Sequence, residues 1–155
     1  MTEDVDHARV LIAPPLVFLG YLVAALLLHW AIPLPLPWLH SLREVAALLI
    51  LAGLLLAGYS ISLMARAHTS PDPRRSTTAL VMAGPYSRSR NPIYLGFLII
   101  YLGFTAVAGT IWGVLLSPFL IVTINRAAIQ AEETYLHAKF DSRYSDYKSR
   151  VRQWL

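Results

Sequence analysis

The chain contains no cysteine. That excludes disulfides, thiolate nucleophiles and zinc–thiolate sites, and it leaves the redox compartment open. Charge is scarce too. Only 14% of the residues are Asp, Glu, Lys or Arg, against about 25% in an ordinary soluble domain. Hydrophobic residues make up 56%, and the mean hydropathy is +0.53. The deficit of charge points to lipid as the solvent. No two histidines stand at metal-ligand spacing with a carboxylate, so no metal site is expected. A glycine-rich phosphate loop after a strand is missing, as is a Gly-x-Ser-x-Gly elbow for a serine nucleophile. No cleavable leader is expected, because the first residues carry Glu3, Asp4 and Asp6 rather than a basic run.

What is present is a series of apolar segments. They run from about Val10 to Ile32, Val45 to Ala65, Pro92 to Ala108, and Thr110 to Ile124, the last continuing as a helix to about residue 130. The first two approach the ~20 residues that a helix needs to cross a bilayer core. The expectation is an all-α integral membrane helical bundle. It has about four transmembrane helices and a C-terminal amphipathic cytosolic helix, in a single domain over residues 1–155. Pro92 suits a first helical turn. Pro118 lies inside the fourth segment and should kink it. Segments three and four meet at Gly109 as a tight antiparallel hairpin. Gly96 and Gly103 share one face of the third, and Gly53 and Ala57 form a small-residue pair on the second; such residues let helices approach closely in lipid.

The basic residues set an orientation. Five arginines lie between Arg66 and Arg90, and six basic residues between Arg126 and Arg152. With both termini cytosolic, these segments face inside and only Arg43 breaks the positive-inside rule. The linker Pro33-Leu34-Pro35-Leu36-Pro37-Trp38 and the Gly109 turn then face outside, with Trp30, Trp38 and Trp112 in an aromatic belt and His29 and His40 near the same interface. Topology explains the charge more simply than nucleic-acid binding does. The expectation is a multi-pass integral membrane protein with both termini cytosolic.

Two clusters can carry chemistry, both on the inner side. One is the polar loop that begins at His68 and ends in Gly84-Pro85-Tyr86-Ser87-Arg88-Ser89-Arg90-Asn91-Pro92-Ile93-Tyr94-Leu95-Gly96. Arg and Tyr at a headgroup boundary also suit a plain juxtamembrane anchor. The other is Arg126 with Glu132 and Glu133 on the helix that leaves the membrane. Arg126 and Glu133, seven apart, share a face of an α-helix. Acids beside an intramembrane polar site point to function, while a solvated surface with an incidental ion pair is the plainer reading. After Tyr135 and beside His137, Leu136, Phe140, Tyr144, Tyr147, Val151 and Trp154 recur at spacings of three or four, an amphipathic helix that lies in the interface or covers the inner mouth of the bundle.

The order His68, Leu80-Val81, Gly84-Pro85-Tyr86, Arg90-Asn91-Pro92-Ile93-Tyr94-Leu95-Gly96 and Glu132-Glu133, followed by the aromatic tail, resembles the isoprenylcysteine carboxyl methyltransferase family and its phospholipid methyltransferase relatives. The resemblance covers roughly His68 to Trp154. It implies a membrane enzyme that uses S-adenosylmethionine to methylate a lipidic or prenylated amphipathic acceptor at the cytosolic interface. The cofactor region would be about 66–96 and 125–155. By position, His68, Leu80, Val81, Gly84, Tyr86, Arg90, Asn91, Pro92, Tyr94 and Glu132 would bind the cofactor, and Glu133 and Arg126 would serve the acceptor side as catalytic residues. Asn91 stands where the eukaryotic enzymes have His, Thr78 where they have His before Leu-Val, and Asp141 where Gly is usual. Two other readings stay open. Sterol reductases carry a similar Arg-x-Pro-x-Tyr loop, which would make this an NADPH-dependent membrane reductase. A non-enzymatic membrane scaffold would keep the fold alone.

Overall fold

Pro14 and Pro15 decide where the first helix begins. Proline fits the first turn, where its missing N–H has no partner to lose, so helix α1 runs Pro14–Ala31 rather than from Val10. The structure, a computed structural model, describes residues 6–10, 12–34 and 43–155. The acidic leader up to Val5, the linker from Pro35 to Trp38, His40 and the side chain of Arg43 lie outside the described residues. Helix α2 spans Arg43–Arg66, α3 Pro92–Val107 and α4 Trp112–Ile124. A π-helical turn, Asn125–Ile129, joins α4 to α5, Gln130–Arg150.

Three helical stretches are long and apolar enough to cross a membrane: Pro14–Ala31, Glu44–Arg66 and the run that starts at Trp112. The apolar part of that last run ends near Ile129, before the polar sequence of α5. The fourth apolar helix, α3, has 16 residues. At 1.5 Å per residue it reaches about 24 Å, short of the ~30 Å hydrocarbon core. Large side chains such as Leu16, Leu27, Leu48, Leu55 and Phe119 point outward and exposed, as lipid-facing helices require. Among the described residues there is no strand, only an isolated bridge between Ser89 and Arg152. The chain is an all-α membrane helical bundle.

Small residues bring α2 and α3 together. A Cβ added to Gly96 would stand 2.8 Å from the Gly53 carbonyl oxygen and 2.9 Å from the Ala57 Cβ. Larger side chains would force these backbones apart. On its other side α3 meets α1 and α4, through a core of Val17, Phe18, Tyr94, Tyr101, Leu120 and Ile124. Phe18 and Phe97 meet edge to face at 5.6 Å. Tyr101 donates to the Gly113 carbonyl at 3.0 Å, and Tyr21 and Thr123 share a hydrogen bond at 2.7 Å. Gly109, at φ +68°, turns the chain between α3 and α4.

Pro118 lies inside α4, which continues through it, and an irregular turn follows at Asn125–Ile129. The C-terminal segment is not one straight amphipathic helix. Asp141 takes φ 43° and ψ −117° inside α5, and the chain folds back there. Lys148 Nζ consequently reaches Glu133 Oε2 at 2.8 Å. On a straight helix those residues would stand about 22 Å apart.

Candidate functional site

The polar loop begins with a helix stop. His68 has φ +54°, its N–H donates to the Ala65 carbonyl at 3.0 Å, and the Thr69 N–H donates to Met64 at 3.0 Å. That is the Schellman pattern, with His68 in the left-handed position that ends α2. Thr78 closes the loop over it, with its hydroxyl on the His68 carbonyl at 2.6 Å and its N–H on Thr69 Oγ1 at 3.0 Å. The 3₁₀ turn (Gly84–Ser87), the residues after it and the start of α3 then form a wall.

Between this wall, the loop and α5 lies a cleft enclosing about 690 Å³, part of it open to solvent. Apolar Met64, Leu80, Val81 and Leu136 line it beside Tyr86, Tyr144 and Tyr147. Its acids are Glu132 and Glu133. The Tyr94 hydroxyl, reaching from α3, donates to Glu132 Oε1. Among the described residues no Lys, Arg or His forms an ion pair with Glu132. Burial pushes its carboxyl up to about 7; the Tyr94 hydrogen bond pulls it down and the adjacent Glu133 charge pushes it up.

Glu133 has the opposite surroundings. Arg90 Nη2 donates to its Oε1 at 2.6 Å and Arg90 Nε at 3.2 Å, while Lys148 takes Oε2. Burial alone would raise this carboxyl, but the Lys148 and Arg90 hydrogen bonds and charges outweigh it and hold it below the usual range. Arg90 also donates from Nη1 to the Val151 carbonyl at 2.7 Å, and its N–H donates to Arg152 O at 3.0 Å. Asn91 Nδ2 holds Gln153 O at 3.1 Å, and Gln153 Nε2 donates to Asn125 Oδ1 at 2.6 Å. These bonds pin the C-terminal tail against the wall. Tyr147 adds a hydrogen bond from its hydroxyl to the Tyr86 carbonyl at 2.6 Å.

Of the residues singled out by sequence, the structure gathers Leu80, Val81, Tyr86, Arg90, Asn91, Glu132 and Glu133 around the cleft, with Tyr94 joined through its hydroxyl. His68 is exposed and outside the lining. Gly84 and Pro92 face a different groove, on the far side of the wall. Arg126 is exposed and makes no ion pair with Glu133. The i→i+5 bonding of the π turn shifts the helical register, so a seven-residue spacing across it no longer returns to one face.

A second cleft, enclosing about 670 Å³, opens between the start of α1, the end of α2 and the start of α3. Ala13, Pro14, Pro15, Ile61, Ile93 and Phe97 line it, with Asp72 and Arg74 at the rim. The Tyr94 ring lies in this cleft while its hydroxyl reaches Glu132 in the first. The two clefts share Pro71 and Pro73 in their linings, and the Tyr94–Glu132 hydrogen bond links a residue of one to a residue of the other.

The phospholipid methyltransferase family model matches residues 42–143. The chain belongs to the phospholipid methyltransferase family. Membership implies methyl transfer in a membrane setting, with a lipid acceptor. Over 63 residues the chain is also 41% identical to an uncharacterized protein of Haemophilus influenzae, which is 41% of this chain and the whole of that one. No solved structure matches. The region shared with the phospholipid methyltransferases holds the loop, the wall, Tyr94 and both acids, and stops before Tyr144 and Tyr147. Those tyrosines were legible from their spacing as a buried face, not as cleft lining. Ala8 had no signal at all: its N–H donates to Pro73 O at 3.1 Å, and it covers the cleft from the N-terminal side.

Proposed function

We propose that the protein is an S-adenosylmethionine-dependent methyltransferase whose cofactor occupies the cleft at Glu132 and whose lipidic acceptor approaches through the cleft at Tyr94. The observation that carries this reading is Glu132, a desolvated carboxylate without a cationic partner in an aromatic and apolar cleft. Such a group is costly unless a cation meets it, and the cofactor brings an ammonium and a sulfonium.

The residues fit the cofactor. Glu132 would take the ammonium by a charge-assisted hydrogen bond, with Tyr94 fixing the carboxylate. Faces of Tyr86, Tyr144 and Tyr147 suit the adenine or the sulfonium, and Leu80, Val81 and Leu136 suit the purine edge. When bound, the cofactor supplies an electrophilic methyl group. The chain's part is to hold the acceptor in line with it and to exclude water, since alignment supplies much of the rate. Arg90 and Glu133 act as a brace, keeping the tail closed over the cleft. The pairing that depresses Glu133 also makes it a poor proton acceptor, which favours this bracing part over general-base catalysis.

The reading extends to topology. The N-terminal segment, the polar loop and α5 meet at one end of the bundle, where Lys139 Nζ donates to Asp6 Oδ1 at 2.6 Å. With the arginines concentrated there, the positive-inside rule supports a cytosolic cleft, cytosolic termini and a multi-pass chain acting as one domain in a microbial cytoplasmic membrane.

Calorimetric titration of the purified protein with S-adenosylmethionine and, separately, NADPH tests the reading. Binding of S-adenosylmethionine alone is expected. Binding of NADPH alone would sink it in favour of a reductase, and binding of neither in favour of a scaffold.

A further inference from the structure

The wall from Gly84 to Pro92 has two faces. Tyr86, Arg90 and Asn91 point into the cofactor cleft. Pro85, Ser87, Arg88 and Ser89 line a groove on the opposite side, against Leu56 and Tyr59 of α2 and Leu95 of α3. This groove has a volume of about 500 Å³ and is open to solvent. Its two ends differ in chemistry. Toward the middle of the bundle it is bounded by Leu56 and Leu95, continuous with the outward-facing leucines of α2. At the loop end stand Ser87 and Arg88, both exposed.

Arg88 differs from its neighbours. Arg74 is paired with Asp72 and Arg90 with Glu133. Among the described residues Arg88 has no carboxylate within ion-pair distance, and no Asp or Glu side chain lines the groove. Tyr59 and Leu155, 52% and 72% exposed, border the same space. An unneutralised guanidinium at the headgroup level, above an apolar trough that leaves large side chains uncovered, is complementary to one kind of molecule.

We propose that this groove binds a phospholipid with an anionic headgroup, the phosphate at Arg88 and Ser87 and an acyl chain along Leu56 and Leu95. The wall separates it from Glu132, so this lipid is not the methyl acceptor, and the inference stands whether or not the methyltransferase reading does. A lipid seated there would bear on the back of the loop whose front forms the cofactor cleft.

Native mass spectrometry of the detergent-purified protein, given equal amounts of dioleoylphosphatidylglycerol and dioleoylphosphatidylcholine, reads the site directly. Preferential retention of phosphatidylglycerol is expected. Arg88→Gln should reduce that preference about fivefold, the worth of one basic residue at an anionic surface. Leu56→Trp, which fills the apolar end, should reduce retention of both lipids. Arg75→Gln, an exposed arginine outside the groove, should change neither. Equal loss in Arg75→Gln and Arg88→Gln would overturn the site, as would no loss in Arg88→Gln. Displacement of the lipid by inorganic phosphate alone would overturn it in favour of a free-anion site.

Discussion

Glu132 and Glu133 are neighbours on one helix and live in opposite worlds. Glu132 faces the cleft, meets a tyrosine hydroxyl and no cation, and has its carboxyl pushed up to about 7. Glu133 faces the tail, is held by Arg90 and Lys148, and has its carboxyl pulled down. Successive residues on a helix point about 100° apart, and that rotation is enough to divide an electrostatic vacancy from a closed ion-pair network. One face leaves a carboxylate without a cationic partner, and the other ties the C-terminal tail to the loop.

The largest effect should come from breaking the locked side. Arg90 and Glu133 side chains are only 10% and 16% exposed. Glu133→Ala leaves the guanidinium buried without its carboxylate, a loss of about 3 kcal/mol, seen as a lower Tm in detergent. Glu132→Gln should do the reverse in the absence of ligand. A carboxyl raised from 4.5 to about 7 in the folded state contributes stability that is full below 4.5 and is lost as the pH rises through 7. The amide has no such loss, so the Tm difference between Glu132→Gln and wild type should grow from pH 5 to pH 8. If both substitutions lower the Tm alike at pH 8, the two acids are not different in kind.

Tyr94→Phe sharpens the contrast on the open side. Removing a hydrogen bond to a charged group costs about 1.5–3 kcal/mol. Because that bond favours the ionised form, the Glu132 titration observed by carboxyl infrared absorption should move to higher pH. An unmoved titration would detach Tyr94 from the pair. A smaller gain is expected at Asp141, whose positive φ is a strained conformation for a side-chain-bearing residue. Asp141→Gly should relieve about 1 kcal/mol of strain and raise the Tm while keeping the fold-back that brings Lys148 to Glu133.

His68→Gly should have the smallest effect, a stabilisation of about 0.5 kcal/mol, since glycine suits the left-handed helix stop. Cofactor affinity should stay within about twofold of wild type, a change of about 0.4 kcal/mol. A large loss of affinity would return the imidazole to the site.

Much of this was legible in the sequence. The apolar segments announced four helices, and Gly53, Ala57, Gly96 and Gly103 announced the close α2–α3 contact, because lipid leaves packing and small residues to do that work. The family order marked the loop, Tyr94 and the acid pair as candidates for one site, and the structure gathers them at one cleft. A difference in role between Glu132 and Glu133 was readable through the resemblance, but the pairing of Glu133 with Arg90 and Lys148 was not. It depends on a π turn at Asn125–Ile129 and a reversal at Asp141, and helical spacing rules assume neither. His68 entered the candidate site by its place in the family order; in the structure it is exposed and outside the cleft lining, at a helix stop that the sequence does not display. The cover supplied by Ala8 was hidden because a small residue far along the chain leaves no pattern.

The central claim is that Glu132, in ionised form, receives the positive charge of the cofactor. Calorimetric affinity for S-adenosylmethionine at pH 6.0 and 7.5, in wild type and in Glu132→Gln, tests it directly. With the free carboxyl near 7, the wild type should bind about eightfold more tightly at pH 7.5 than at pH 6.0. Glu132→Gln should bind weakly at both and show no such slope. Equal affinity in the two proteins, or a slope that survives in Glu132→Gln, would contradict the account.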